Sequence, residues 1–248
     1  MMRKLMLIVS ILLIAFTASI SNADRVVIAL RDITPSFKFG ADSNKGILLI
    51  ANALGPGDTF ILADIGSTFL PEKNVKFQCR MPNVSQDILQ PVGNLVLWRQ
   101  NQAKLNRTWS EVDQVKKKIA ELLKVPVKEE DTDFYTALEY CSLRFSSETQ
   151  KEKFLFIFSD LTEDLRGEPN EDPPSVPLGF NGVHVHILFC PWHGQAEWKP
   201  KKQAWQAWFV GKGKAKEFTL HEPGESKLIK LLEKSPVPRK LKSPFDSE

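Results

Sequence analysis

The chain is poor in cysteine, lacks a dominant charge sign and has no long apolar run after its N-terminal segment. Only three of its 248 residues are cysteine, Cys79, Cys141 and Cys190. Their spacing matches no compact disulfide scaffold. Two of them could pair in an oxidising compartment, or all three could be small buried apolar residues on core elements. Lysine and arginine number 33 against 30 aspartate and glutamate. Two of those cations, Arg3 and Lys4, sit at the extreme N-terminus, so the rest of the chain is nearly neutral. That leaves a nucleic-acid partner without its electrostatic footprint. No Gly-x-Ser-x-Gly, no Walker loop and no His-Glu-x-x-His occurs, which removes the common signatures of hydrolases and nucleotide enzymes. There is no internal repeat. No cysteine follows the first apolar run before Cys79, which argues against a lipoprotein anchor. No later segment has the length and apolarity of a transmembrane span.

What is present begins with a layout. Arg3 and Lys4 precede an apolar run from Leu5 to Thr17, and small or polar residues follow from Ala18 to Ala23. Ser21-Asn22-Ala23 has the small-x-small pattern of a cleavage site. Residues 1–23 are therefore expected to be a secretory signal peptide, with an uncleaved anchor as the alternative. The protein is expected to be exported, periplasmic or secreted. Residues 24–234 form the expected folded domain. Residues 235–248, with three prolines and mixed charges, are expected to be a disordered tail.

Within the domain, continuous apolar runs at Arg25–Leu30, Phe154–Ser159 and Val183–Cys190 predict buried strands, and Thr59–Ile65 predicts another. Val75–Met81 alternates apolar and polar residues, as an edge strand with one wet face does. Helical spacing appears over Lys45–Leu54, over Ser110–Lys124 with Ser110 as cap, over Thr132–Arg144, over Lys201–Val210 and over Glu225–Lys234. Ala215–Thr219 predicts a short last strand. A Pro-rich acidic loop is expected from Glu163 to Pro177. Strands alternating with helices predict an α/β fold. Its form is a three-layer α/β/α sandwich with a mostly parallel central sheet and one antiparallel edge strand. In such folds the site forms at the carboxyl ends of the strands.

Three segments place oxygen-bearing side chains at such ends. Asp32, Thr34 and Ser36 follow the first strand, Asp131-Thr132-Asp133 precedes a helix, and Ser159-Asp160 follows another strand. The set contains no His or Cys and carries little total charge. That chemistry suits Mg²⁺, or Mn²⁺ or Ca²⁺, and leaves coordination positions for water or an outside acid. Turn and cap chemistry is the plain alternative for each residue.

These segments resemble the von Willebrand factor A family. The likeness rests on Asp-x-Thr-x-Ser after the first strand, on Thr132-Asp133 before a helix with Ala137-Leu138, and on Ser-Asp after a Phe-Ile-Phe strand. It runs over about Asp24 to Lys234 and includes Gly-Val-x-Val at Gly182–Val185 and the Trp-bearing helix that follows. The resemblance implies a metal-ion-dependent adhesion site. In it Asp32, Thr34 and Ser36 bind the ion directly, and Thr132 and Asp160 bind it directly or through water. Two departures stand out: Thr34 replaces the usual Ser, and Asp131 stands where Gly is common. The implied function is a vWA-like binding domain, not an enzyme, that recognises a protein partner's acidic side chain through the ion. A metal-dependent hydrolase of phosphate esters and a metal-free structural subunit of an envelope complex are the rival expectations.

Two further groups are noted. His184 and His186 share one strand face near Cys190 and His193, which brings zinc to mind, although solvated or core-edge histidines are expected. Trp205 and Phe209 are expected to pack on the sheet, while Trp192 and Trp198 sit in loop-like sequence, where a contact surface is the minority reading.

Overall fold

The computed structural model describes residues 25–125, 129–165, 168–188, 198–221, 232 and 237–244. The expected signal segment lies outside these residues. So do Cys190, Trp192, His193, the side chain of Trp198 and, Leu232 apart, the expected closing helix.

The first strand, β1 (Arg25–Asp32), is buried along its whole length. A strand in that position must be covered on both faces, and its sequence supplies apolar residues on both. Val26, Ile28 and Leu30 enter one core, while Val27 and Ala29 enter the other, as the two-residue period of a strand requires. Each fully buried aliphatic side chain contributes on the order of 1.5–3 kcal/mol. Helix α1 (Gly40–Ala53) returns the chain to β2 (Thr59–Ile65), also fully buried. A short turn of helix, α2 (Pro71–Asn74), leads to β3 (Val75–Arg80), which is half exposed. After α3 (Gln86–Leu89) comes the long α4 (Leu95–Leu122). Helix α5 (Phe134–Ser147) feeds β4 (Glu152–Phe158). A small hairpin follows, β5 (Glu163–Leu165) and β6 (Glu168–Asn170), inside the segment expected to be all loop. Then come β7 (Val183–Leu188), α6 (Trp198–Gln206) running into a π turn (Ala207–Lys212), and β8 (Glu217–His221).

The main sheet has six strands in the order β3-β2-β1-β4-β7-β8. β3 alone is antiparallel to its neighbour. This is the expected α/β fold with one antiparallel edge. Setting the hairpin aside, the strands lie in the sequence order 3-2-1-4-5-6, which reverses direction between β1 and β4. In doubly wound sheets the crevice beyond the carboxyl ends at that reversal is where ligands bind. Helices α1 and α4 cover one face, where Ile47, Ile50, Leu105, Val112 and Ile119 meet Phe60, Leu62, Phe156 and Phe158. Helices α5 and α6 cover the other, where Phe134, Leu138, Trp205 and Phe209 meet Ile61, Leu155 and Val185. Trp205 and Phe209 thus pack on the sheet as expected.

Several boundaries differ from expectation: α1 starts at Gly40 rather than Lys45, α6 at Trp198 rather than Lys201, and β8 at Glu217 rather than Ala215. Helix α4 begins at Leu95, well before Ser110: Asn94 caps it, its side chain accepting hydrogen bonds from the amides of Val96 and Leu97. The early turns bury only Asn101, Leu105 and Trp109, too sparse a stripe to read as a helix face. Helix α5 is capped by Asp133, which accepts from the Thr136 amide, so Thr132 is free of the capping role. Residues 237–244, expected in a disordered tail, instead lie along α4. Val237 and Leu241 are buried, and the indole N–H groups of Trp98 and Trp109 donate to the carbonyls of Lys242 and Pro238. Arg239 pairs with Asp113 at 2.9 Å and lies over the Trp109 ring.

The end of β1 carries two adjacent charges, and the strand period sends them to opposite faces. Arg31 is cross-strand from Asp64, pairs with it at 2.8 Å and donates to Asn44. Both members of that pair are buried. The guanidinium is therefore spent on the α1 side, and the Asp32 carboxylate faces the α5 side without it. Removing one partner of a buried ion pair strands the other charge. Asp64→Ala is expected to lower stability by about 3–5 kcal/mol, read from the shift in urea midpoint. Asp64→Asn, which still accepts from Arg31, should cost less.

Candidate metal centre

The site is built from the residues after β1, before α5 and after β4. Asp32 is the last residue of β1 and is only 2% exposed. Its Oδ1 accepts from the Thr34 amide at 3.0 Å and from the Thr34 hydroxyl at 2.6 Å. This local turn, with the carboxylate bonding two residues on, is what Asp favours directly after a strand. Its Oδ2 accepts from the Ser159 hydroxyl at 2.9 Å. The Thr34 hydroxyl lies 3.0 Å from that of Ser36, and the Thr132 hydroxyl donates to it at 3.3 Å. Asp32, Thr34, Ser36, Thr132 and Ser159 therefore form one continuous oxygen network from three separate loops. Asp160 stands close enough for its charge to act on Asp32.

Backbone bonds hold the loops in register. Thr132 N–H donates to the Asp164 carbonyl at 2.8 Å, and Asp164 N–H donates to the Thr132 carbonyl at 3.1 Å. The loop before α5 is thus stitched to the hairpin after β4. Asp133 N–H donates to the Gly66 carbonyl, and the Asp133 carboxylate accepts from Phe69 N–H. Asp131, where the family resemblance would have Gly, has its amide on the Ser67 hydroxyl at 3.2 Å. The Thr132 hydroxyl reaches Thr34 all the same. In the third loop Leu161 takes a left-handed conformation, φ 63°, while its amide donates to Ser159 Oγ. A buried Leu in that region costs about 1–2 kcal/mol, and such strain collects where geometry is fixed for function.

The electrostatics are those of an under-neutralised pocket. Burial raises the Asp32 carboxyl to about 6, against the hydrogen bonds from Thr34 and Ser159, and the neighbouring Asp160 pushes the same way. Asp160 is raised too, chiefly by burial, with a contribution from Asp164. The described partners of Asp32 are hydroxyls, an amide and another acid; none is a cation. A cavity of about 450 Å³ opens beside Asp32 and Thr34, floored by Phe37, Asn44 and Leu123. Thr132 and Asp160 do not line it, so it adjoins the oxygen cluster rather than containing it.

Of the five sequence-derived candidates, Asp32, Thr34, Ser36 and Thr132 join in this one network, and Asp160 lies beside it, its charge felt at Asp32. The donor set is all oxygen, with two acids and four hydroxyls counting Ser159, and it suits a hard divalent cation rather than a soft one. Sequence reasoning passed over two contributors. Ser159 belongs to the third oxygen-bearing segment but not to the ligand set that the sequence suggests, yet it holds the second Asp32 oxygen. Glu163 falls in the segment expected to be loop, but its Oε2 accepts from the amides of Phe134 and Tyr135 at 2.5 and 2.9 Å. It thereby anchors the start of α5, and burial raises its carboxyl to about 7. An acid at a helix N-terminus is a familiar signal; here it comes from another loop, which only the fold brings near.

No family model matches the chain, and no curated protein matches it. Among solved structures it is similar to a pilus adhesin, SpaC from Lactobacillus rhamnosus GG, in an open conformation. There the identity is 12%, the TM-score 0.42, and the overlap covers 85% of this chain and 29% of the adhesin. A second structure of that adhesin gives 12%, 0.43, 86% and 30%. The chain spans less than a third of that adhesin's length. No helix among the described residues is long and apolar enough to cross a membrane.

The raised Asp32 carboxyl has a consequence for stability. Its folded value, about 6, exceeds the ordinary 3.8, so the folded state binds the proton more tightly than the unfolded chain does. Stability is then greatest below about pH 4 and falls as pH rises to about 6. At about 1.36 kcal/mol per pKa unit the loss approaches 3 kcal/mol. In chelator-treated protein, Asp32→Asn should therefore raise Tm at pH 7. The advantage should vanish at pH 4. An Asp32→Asn protein less stable than the parent at both pH values would refute the account.

Proposed function

We propose that the chain is a vWA-like binding domain that holds a divalent cation at the carboxyl end of β1 and β4 and recognises a protein partner through it. The single observation that carries this reading is the Asp32 network: a buried carboxylate with no cationic neighbour described, ringed by hydroxyls from three loops at the reversal point of the sheet. Burying an uncompensated carboxylate is costly, and a hard cation is the natural compensation.

In this reading Asp32, Thr34 and Ser36 hold the ion directly, with Thr132 and Asp160 acting directly or through water. Mg²⁺, Mn²⁺ or Ca²⁺ bound there supplies an electropositive position that an outside carboxylate can complete. Asp32 sets the charge, the hydroxyls add ligands without adding charge, and the site stays cationic enough to attract an acid from a partner. The backbone bridge between Thr132 and Asp164 keeps the loops from moving apart. In this proposal the hydroxyls that reach Asp32 serve as ligands rather than as nucleophiles, and the activity is binding, not turnover. Export of the protein, to a periplasm or beyond the cell, belongs to the same proposal and rests on the N-terminal layout.

The test is a calorimetric Mg²⁺ titration of the full chain and of Asp32→Ala, followed by capture of Glu-containing peptides with Mg²⁺ or with EDTA. We expect the parent to bind the ion, the variant to bind it at least about tenfold more weakly with its fold intact, and peptide capture to be lost in EDTA. Equal ion affinity in both chains, no binding of Mg²⁺, Mn²⁺ or Ca²⁺ by the parent, or Mg²⁺-dependent turnover of a phosphate ester would overturn the proposal.

A further inference from the structure

A second cluster lies away from the Asp32 network, on the α1 and α4 face of the sheet. His184 and His186 are on β7, opposite in direction to Val183, Val185 and Ile187, which enter the α5 and α6 core. Glu217 opens β8 and is the register partner of His184. His184 Nδ1 is 2.9 Å from Glu217 Oε1, and His186 Nε2 is 3.4 Å from the same oxygen. One donor atom from each of the three lies within 4.8 Å of the other two. Phe154 and Phe156 stack behind the His184 and His186 rings at centroid distances of 4.9 and 5.1 Å, which fixes both ring planes. His184 is level with Phe154, and Phe154 with Val27, toward the opposite end of β1 from Asp32.

His186 is the telling member. It is 1% exposed, and its Nε2 has no hydrogen-bond partner among the described residues. Its Nδ1 lies 3.2 Å from His221 Nε2. The tautomer that donates Nδ1–H to His221 leaves the Nε2 lone pair pointed toward a carboxylate oxygen. In that tautomer a cation seated between them takes up both lone pairs; in the other, the ring's own Nε2 proton faces Glu217. Glu217, despite partial burial, is kept below the usual carboxylate range by the His184 hydrogen bond and the charges of both histidines.

We propose that His184, His186 and Glu217 form a binding site for a first-row transition ion, zinc foremost. Zinc takes imidazole nitrogen and carboxylate oxygen at about 2.0–2.2 Å in a tetrahedron, which sets neighbouring donors roughly 3.3 Å apart. The two distances to Glu217 Oε1 bracket that spacing. His221 supplies the outer hydrogen bond that fixes a ligating imidazole's tautomer and orientation. Three protein ligands leave a fourth position, on the side where the Glu217 side chain is 44% exposed. The set differs in kind from the all-oxygen network at Asp32, and it selects a different class of ion. The proximity of His184 and His186 is legible from their spacing. The third ligand is Glu217, not Cys190 or His193, which lie outside the described residues.

The experiment is a calorimetric titration of the EDTA-stripped full chain with ZnCl₂, repeated in excess Mg²⁺ and on Glu217→Gln, His184→Ala and Asp32→Ala. Circular dichroism of each variant reports its fold. We expect one saturable Zn²⁺ site that excess Mg²⁺ does not compete away. Glu217→Gln and His184→Ala should each weaken it at least about tenfold, and Asp32→Ala should leave it unchanged. Co²⁺ added in place of Zn²⁺ should give the intense visible bands of a four-coordinate centre, lost in Glu217→Gln. Absence of saturable Zn²⁺ binding would mean that the cluster is a strand-to-strand ion pair only. Binding that survives both substitutions would place the ion elsewhere. Either result overturns the proposal. Loss of Zn²⁺ binding in Asp32→Ala alone would equally refute a separate site.

Discussion

The Asp32 carboxylate is the constraint around which the rest of the molecule is arranged. It sits at the end of a strand with no exposed residue, so its charge has lost most of its water. Only Thr34, Ser159 and one amide repay part of that loss. Its neighbour in sequence, Arg31, does not help, because the strand period turns the guanidinium to the other face, where Asp64 and Asn44 engage it. A fold optimised for stability alone would let such an arginine and such an aspartate meet. Here each is held apart, and the aspartate is left with hydroxyls.

Sheet topology explains why this place rather than another can carry the arrangement. Between β1 and β4 the strand order reverses, so the loops leaving the two strands diverge and open a crevice. Three loops then converge on it from different elements. Their convergence is not left to side chains: the Thr132 and Asp164 backbones bridge, Asp133 ties to Gly66 and Phe69, and Glu163 anchors the α5 amides. The strained Leu161 backbone belongs to the same scheme, since its amide on Ser159 helps hold the hydroxyl that reaches Asp32. In the proposed function, this rigid support around a poorly compensated charge holds the loops ready for a ligand.

Legibility in the sequence followed the range of the interactions. Fully buried strands announce themselves through unbroken apolar runs, and Thr59–Ile65 is observed with the bounds its sequence predicts. Asp32, Thr34 and Ser36 are readable because their contacts span two residues. The first half of α4 is not, since its buried stripe is thin and two of its tryptophans serve distant carbonyls at 238 and 242. For the same reason the C-terminal stretch reads as disordered: its anchors, Val237, Leu241 and Arg239, gain meaning only against α4. Ser159 and Glu163 act across more than a hundred and about thirty positions respectively. Glu217 becomes a partner of His184 only once β7 and β8 pair. Local chemistry can be read along the chain; chemistry assembled by strand pairing and loop convergence cannot.

The preference for hydroxyls over further acids at the Asp32 network has its own logic. A hydroxyl can donate a proton to Asp32 or turn a lone pair toward a cation, and the change needs only rotation about one C–O bond. Thr34 already uses both capacities, giving its proton to Asp32 and accepting from Thr132. Loading of an ion in the proposed function would therefore exchange O–H···O contacts for ligand bonds with little backbone movement. A third or fourth carboxylate would bind a cation more tightly, but it would add like charges to an already costly burial and leave no positive excess for a partner's acid. The same reasoning separates the two clusters. Imidazole rings stacked on Phe154 and Phe156 cannot rotate in this way, so the His184–His186–Glu217 group is geometrically committed where the Asp32 network is adaptable. One sheet thus presents an adaptable hard-oxygen network toward one end of β1 and a rigid nitrogen–oxygen cluster toward the other.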